Sequence, residues 1–255
     1  MSSSLELESA RRFWYRRVDQ RIDARASCVA LVVRTLPGQR LEGFGSGFFY
    51  ERAGWPFFIT AKHVLDDVRA SIQQGQLPFL LVRGRAGLVK LTSIEFFAQE
   101  ELDLAVAPLW QRPSSSYRHV DFFTESEIAA PAADDQFAFT GFPASRNKTY
   151  TGQVPKPEQR ILTIQGASGP LGLSPFLTLP FDSKGLHDSA LRPASMPLPN
   201  GLSGMSGGPV FSVHGPLDQP TLRLCGVGVA WNPDCALKVL RFDVVDAWLG
   251  NHLQW

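Results

Sequence analysis

The segment Gly204-Met205-Ser206-Gly207-Gly208-Pro209 gathers the residue types that nucleophilic acyl transfer requires. A serine hydroxyl attacks well when a base stands beside it and backbone N–H groups await the oxyanion that the attack creates. Glycines around Ser206 let the chain turn tightly enough to aim such N–H groups inward, and they leave space for a substrate carbonyl. Pro209 then opens the apolar run Val210-Phe211, so the turn leads into a strand. The chain has five histidines to serve as base. His63, in Ile59-Thr60-Ala61-Lys62-His63-Val64, follows an apolar strand and opens a helical turn over residues 64–68. His119, His187, His214 and His252 fall in a crossover, a long loop, a hairpin turn and the last few residues, which are surface contexts. Asp103, in Glu101-Leu102-Asp103-Leu104-Ala105-Val106-Ala107, leads directly into an apolar strand. There its charge acts on an imidazole and not on bulk water.

The first five residues of the serine segment also satisfy G-x-S-x-G, the strand–turn–helix elbow of α/β-hydrolases. Gly207-Gly208-Pro209 is hostile to the helix that an elbow needs. That fold also places its acid and base after the serine, and only 49 residues follow Ser206, with His214 and His252 among them. A serine esterase is therefore the less favoured reading.

The elements that must hold these residues are mostly strands. Residues 4–26 read as a helix, with Leu5, Ala10, Phe13, Trp14, Val18 and Ile22 at near-helical spacing and Arg11, Arg12, Arg16, Arg17 and Arg21 on other faces. Those arginines read as a solvated face, with docking of an anionic partner as the alternative. Short β-rich runs then follow at 28–35, 43–50, 55–60, 79–83, 88–97 and 104–109, with a turn at 52–54. A polar, strand-poor crossover covers 113–134, and strands resume at 136–141, 159–165, 175–180, 209–213 and 222–229. Residues 242–249 read as a short amphipathic helix, and 182–205 as a long loop rich in Pro and Ser. Strands at this spacing, with Gly and Pro turns, predict antiparallel barrels or sandwiches.

The order His63, Asp103, Ser206, carried by TAKHV, DLAVAPL and GMSGGPV, resembles the trypsin/chymotrypsin-fold serine peptidases. Within them the chain is most similar to short cytosolic bacterial trypsin-like peptidases and to Deg-type protease domains. Their motifs appear at Gly45–Phe48, Thr60–Val64, Asp103–Ala105, Gly141–Pro143 and Ser206–Pro209. The resemblance implies an all-β fold of two six-stranded antiparallel β-barrels with an N-terminal and a short C-terminal helix. It implies a helical extension at 1–26, a first barrel at 27–112, a crossover at 113–134, and a second barrel with the C-terminal helix at 135–255. Ser206 would be nucleophile, His63 base and Asp103 its orienter, with an oxyanion hole from the N–H groups of Gly204 and Ser206. The N–H groups of Lys62 and His63 would hold Asp103. Substrate contacts would fall to Asn200, Val229, Ala230 and Trp231, with no metal and no cofactor. Met205 stands where secreted trypsins carry the aspartate of their zymogen switch, so that switch is not expected. Asn200 stands where trypsins carry the acid that selects Arg and Lys, so basic selectivity is not expected either.

Composition narrows the setting. Lys+Arg number 25 against 24 Asp+Glu, a net charge of +1, which argues against a general nucleic-acid surface. Apolar residues make up 44% of the chain, enough for a core. No apolar run reaches the ~18 residues that span a bilayer, and the first residues lack the apolar stretch of a secretory signal. Three cysteines, Cys28, Cys225 and Cys235, are too few and too odd for a disulfide framework. The expectation is a cytoplasmic serine endopeptidase acting on polypeptides, with a regulatory protein partner and neither nucleic acid nor membrane as partner. The alternative is a latent or non-catalytic binding module of the same fold that needs a partner.

Overall fold

The structure is a computed structural model. It describes residues 2–252 apart from 39, 83–87, 93, 111–116, 118–119, 133–134, 145–146, 148–158, 166–173, 181–186, 189–202 and 233–235. Strands dominate, as the short β-branched and aromatic runs require. The chain opens with α1 (Ser2–Asp23) and a 3-10 turn at Ala26–Cys28. It continues through β1 (Val29–Leu36), β2 (Arg40–Arg52), β3 (Trp55–Ala61), α2 (Lys62–Gln73), β4 (Pro78–Val82), β5 (Leu88–Lys90), β6 (Phe97–Gln99) and β7 (Leu104–Pro108). These strands form one curled sheet in the order β5-β4-β1-β2-β3-β7-β6, all antiparallel. The crossover adds the two-residue β8 (Phe123–Thr124), which lies parallel to β2. The β2–β3 hairpin closes through Ala53 and Gly54 at φ 49° and 82°, the left-handed pair that matches the twist of the flanking strands.

The second sheet comprises β9 (Gln136–Gly141), β10 (Arg160–Gln165), β11 (Phe176–Pro180), β12 (His187–Asp188), β13 (Pro209–His214), β14 (Thr221–Asn232) and β15 (Ala236–Arg241). Its order is β11-β15-β14-β13-β9-β10-β12, and α3 (Phe242–His252) follows. The two curled sheets are the expected double-barrel architecture. They carry eight and seven strands among the described residues, because very short strands such as β8 and β12 add to the six implied for each barrel.

Two apolar clusters hold the sheets. The larger joins the first sheet to Trp14, Tyr15, Val18 and Ile22 of α1, to Phe211 and Val229 of the second sheet, and to Val245 and Leu249 of α3. Phe123 and Phe211 meet edge to face across this junction, with ring centroids 5.4 Å apart. The smaller lies within the second sheet and includes Phe137, Phe139, Met205 and Cys225. Helix α3 is also tied to β2: Tyr50 Oη and Arg52 Nε each donate to Asp246 Oδ1 at 2.8 Å. Phe13 departs from the sequence reading. It is 45% exposed, with the Arg17 guanidinium 5.1 Å from its ring centre, while its neighbours Trp14 and Tyr15 take the buried face. The strand expected at 88–97 is two short strands with a break between them, and β15 is an added strand. Among the described residues, no helix is long and apolar enough to cross a membrane.

Candidate active site

The candidate base and acid come from the first sheet. Strand β3 ends at Ala61 and α2 begins at once, so His63 sits in the first turn of a helix, 46% exposed. Asp103 closes the turn that begins at Glu100, its N–H donating to Glu100 O at 3.0 Å. Its φ of +48° lies in the left-handed region, which Asp visits more readily than most residues. One carboxylate oxygen then accepts from His63 N at 3.0 Å, and the other pairs with His63 Nδ1 at 2.8 Å. The N–H of Lys62 donates to the Asp103 carbonyl at 2.9 Å, not to its carboxylate as the resemblance implied. A carboxylate only accepts, so Nδ1 carries the proton and Nε2 of the neutral ring is left as acceptor. The hydrogen bond to Asp103 holds the His63 pKa above its ordinary 6.5; burial opposes this, and the charges of Asp103, Asp67 and Asp66 add to it. The Lys62 ammonium bridges Asp66 of α2 (2.8 Å) and Glu100 of the acid's turn (2.7 Å).

The serine comes from the second sheet, and its turn is seated on the first. Gly204 and Gly207 have φ of +87° and +86°. A Cβ on Gly204 would lie 2.5 Å from Ala144 N, and one on Gly207 would lie 2.3 Å from Thr60 Oγ1 and 3.0 Å from Ala61 N. Both positions therefore demand glycine, by conformation and by space. The residue after Ser206 is wedged against the end of β3, two residues before His63. Met205 is fully buried in the smaller cluster, so an apolar plug anchors the turn.

Four successive carbonyls of this turn are engaged. Ser203 O accepts from Ala144 N at 2.8 Å, Gly204 O from Ser46 Oγ at 2.7 Å, Met205 O from Gly208 N at 3.0 Å, and Ser206 O from Ser46 N at 2.9 Å. In a trans peptide the N–H points opposite to the C=O. The N–H groups of Gly204 and Ser206 are thus turned away from these contacts, and neither has an acceptor among the described residues. Likewise, no hydrogen bond joins Ser206 Oγ to His63 Nε2 among them.

The other assigned residues divide. Asn200, His119 and Cys235 lie outside the described residues. Val229 is buried in the larger cluster, so it can meet a ligand through its main chain only. Ala230 is exposed and Trp231 half-buried. Both line a groove of about 320 Å³ together with Ser174, Phe176, Thr178, Ala236 and Lys238. Pairing of β13 with β14 ends at Val227, and past Gly228 no described strand borders β14 on the side away from β15. Of the remaining histidines, His187 lies on β12, and His214 and His252 are engaged elsewhere. His214 Nε2 pairs with Ser212 Oγ at 2.8 Å, and the His252 ring stacks on Trp248 at 4.8 Å. Neither stands beside Ser206, and the esterase reading loses its base. Sequence reasoning did not assign a role to Ser46 or Ala144. The only signals for them were the short GSGF and GFP motifs.

No family model matches the chain, and no curated protein matches it. Solved structures do match. Deg5 superposes with a TM-score of 0.53 at 15% identity, over 91% of each chain. The apo MamO protease domain from Magnetospirillum magneticum gives 0.51 at 14% identity, over 88% of this chain and 97% of its own. The tobacco vein mottling virus protease gives 0.50 at 12%, over 89% and 83%. At such identities the likeness is one of architecture: the chain has the two-barrel fold of the trypsin-like serine peptidases.

Proposed function

We propose that this protein is a serine endopeptidase with Ser206 as nucleophile, His63 as base and Asp103 as its orienter. The observation that carries the reading is the double grip of Asp103 on the ring and main chain of His63, at the strand end where the serine turn is seated. In the reaction Ser206 Oγ bonds to the scissile carbonyl carbon while its proton passes to His63 Nε2. The carbonyl oxygen becomes an oxyanion held by the N–H groups of Gly204 and Ser206. The C–N bond then breaks, and His63 gives the proton to the leaving amine. Water repeats the sequence on the acyl-enzyme and frees Ser206. Asp103 keeps the proton on Nδ1 and stabilises the imidazolium. The edge of β14 beyond Gly228, which no described strand borders, suits an extended peptide added as a strand, with the groove at Ala230 and Trp231 beneath its side chains.

The proposal includes the division at 27–112 and 135–255 joined by 113–134, since neither part alone holds the whole site. A cytoplasmic setting agrees with two buried free thiols, Cys28 and Cys225. The missing Ser206–His63 hydrogen bond favours a second reading, a latent enzyme completed by substrate or by a regulatory protein partner. Such bonds also tighten when substrate arrives. A fluorophosphonate probe separates the cases. Labelling of wild type and none of Ser206→Ala supports the peptidase, labelling only after peptide is added supports the latent form, and equal labelling of both proteins rejects Ser206.

A further inference from the structure

The side chain of Ser46 has no role in the chemistry described above, yet it is fully buried on β2 and reaches the second sheet at two points. Its hydroxyl donates to Gly204 O at 2.7 Å and accepts from Phe142 N at 2.9 Å. Its own N–H donates to Ser206 O at 2.9 Å, and its carbonyl accepts from Thr60 Oγ1 at 2.6 Å. Of the four contacts that fix the carbonyls of the serine turn, three come from backbone N–H groups. One alone comes from a side chain, and it is the Ser46 hydroxyl. The same hydroxyl anchors Phe142, two residues before Ala144, whose N–H fixes the peptide that presents the Gly204 N–H. The first contact fixes the Gly204–Met205 peptide, which links the two peptides that carry the oxyanion donors, and the second steadies the Gly204 donor indirectly, through Phe142 to Ala144.

We infer that Ser46 is the positioning residue of the oxyanion hole, its hydroxyl locking the Gly204–Met205 peptide between the two donor peptides so that the N–H groups of Gly204 and Ser206 face the cleft. The inference rests on the peptidase reading. It is distinct from the role of Asp103, because Ser46 touches neither ring nitrogen of His63. Alanine at this position would leave Gly204 O and Phe142 N buried without a partner, and the turn would gain freedom to rotate the Gly204–Met205 peptide and with it the donor peptides on either side. Loss of one oxyanion donor lowers turnover by about 10²–10³. Partial loss of its alignment is expected to lower it by about tenfold or more.

The test measures the second-order rate of fluorophosphonate labelling from pH 5 to 9 for wild type, Ser46→Ala and Ser46→Thr, with melting temperature alongside. In this reaction Ser206 Oγ bonds to phosphorus, fluoride leaves, and the serine proton goes to His63. The expected result is a labelling rate at least about tenfold lower in Ser46→Ala. Its pH midpoint should match that of wild type, because His63 and Asp103 are untouched, and Ser46→Thr should recover much of the rate by restoring the hydroxyl. A Ser46→Ala rate equal to that of wild type overturns the inference and leaves the peptidase reading intact. So does a lowered rate with a displaced pH midpoint, which would place the fault at the base. If Ser46→Ala fails to fold, Ser46→Cys, which keeps the shape with a weaker donor, is judged by the same two readouts. Absence of labelling in wild type, both without and with added peptide, overturns both.

Discussion

At the scale of single residues, the pairing of Asp103 with His63 sets a pH dependence whose sign can be worked out. On the proposed reading His63 acts as base when neutral, so labelling of Ser206 should rise with pH through a midpoint above 6.5, the direction in which Asp103 holds it. Asp103→Asn removes the ionised partner and leaves burial, which pushes the pKa down. The midpoint should then fall below that of wild type, while the plateau rate drops by about 10³–10⁴ because the tautomer is no longer fixed. An unmoved midpoint would remove Asp103 from the role given to it. The stability linkage runs the other way. A group with a raised folded pKa adds stability that is fully present below its unfolded value, and that stability is lost as pH rises through the folded one. The ion pair therefore contributes to the fold at acid pH, where the base is charged and idle, and that contribution fades as the base comes into use. With His63 46% exposed, solvent screens the effect and keeps it small.

At the scale of elements, α1 separates two kinds of apolar residue on one helix. Ile22 is 1% exposed and belongs to the larger cluster, whereas Phe13 stands at the surface. Ile22→Ala should cost about 2–5 kcal/mol in urea unfolding, and Phe13→Ala no more than about 0.5 kcal/mol. Comparable losses would show that the helix docks through another face. Helical spacing alone could not rank these two, because the apolar stripe is wider than the face that the barrels cover. The same limit explains what the sequence left out. Gly204 to Pro209 and Thr60 to Val64 were legible because backbone conformation and packing are written into contiguous residues there. Ser46 was not, since its partners lie at 142, 204 and 206 and no local spacing encodes them. Strand β15 was missed for a different reason. Ala236–Arg241 is only six residues long, and α3 follows without a break, so the alternation merges into helical periodicity.

At the scale of the whole molecule, the larger apolar cluster crosses from one sheet to the other, and the two are expected to unfold together. Two thiols can report on this. Cys28 lies in the larger cluster and Cys225 in the smaller. Burial pushes the Cys28 pKa up to about 12 and raises that of Cys225 as well. The thiolate is the reactive form, so at pH 8 both should resist alkylation until the fold opens. Both should then become reactive over the same range of urea, as read by peptide mass mapping. Modification of Cys225 well before Cys28 would mean that the second sheet opens on its own. The contact between Ser46 and Gly204 also has a history, since it joins positions 158 residues apart in the chain. Closing so long a loop costs entropy before any contact rewards it, and both sheets must exist first. During synthesis a chain carrying only the first sheet would own a base and an orienter with nothing to activate. A finished chain whose sheets had not yet met would hold its nucleophile on a slack loop. If the molecule cuts as proposed, competence to cut would be the last property it acquires, and a half-made copy would be no danger to its neighbours.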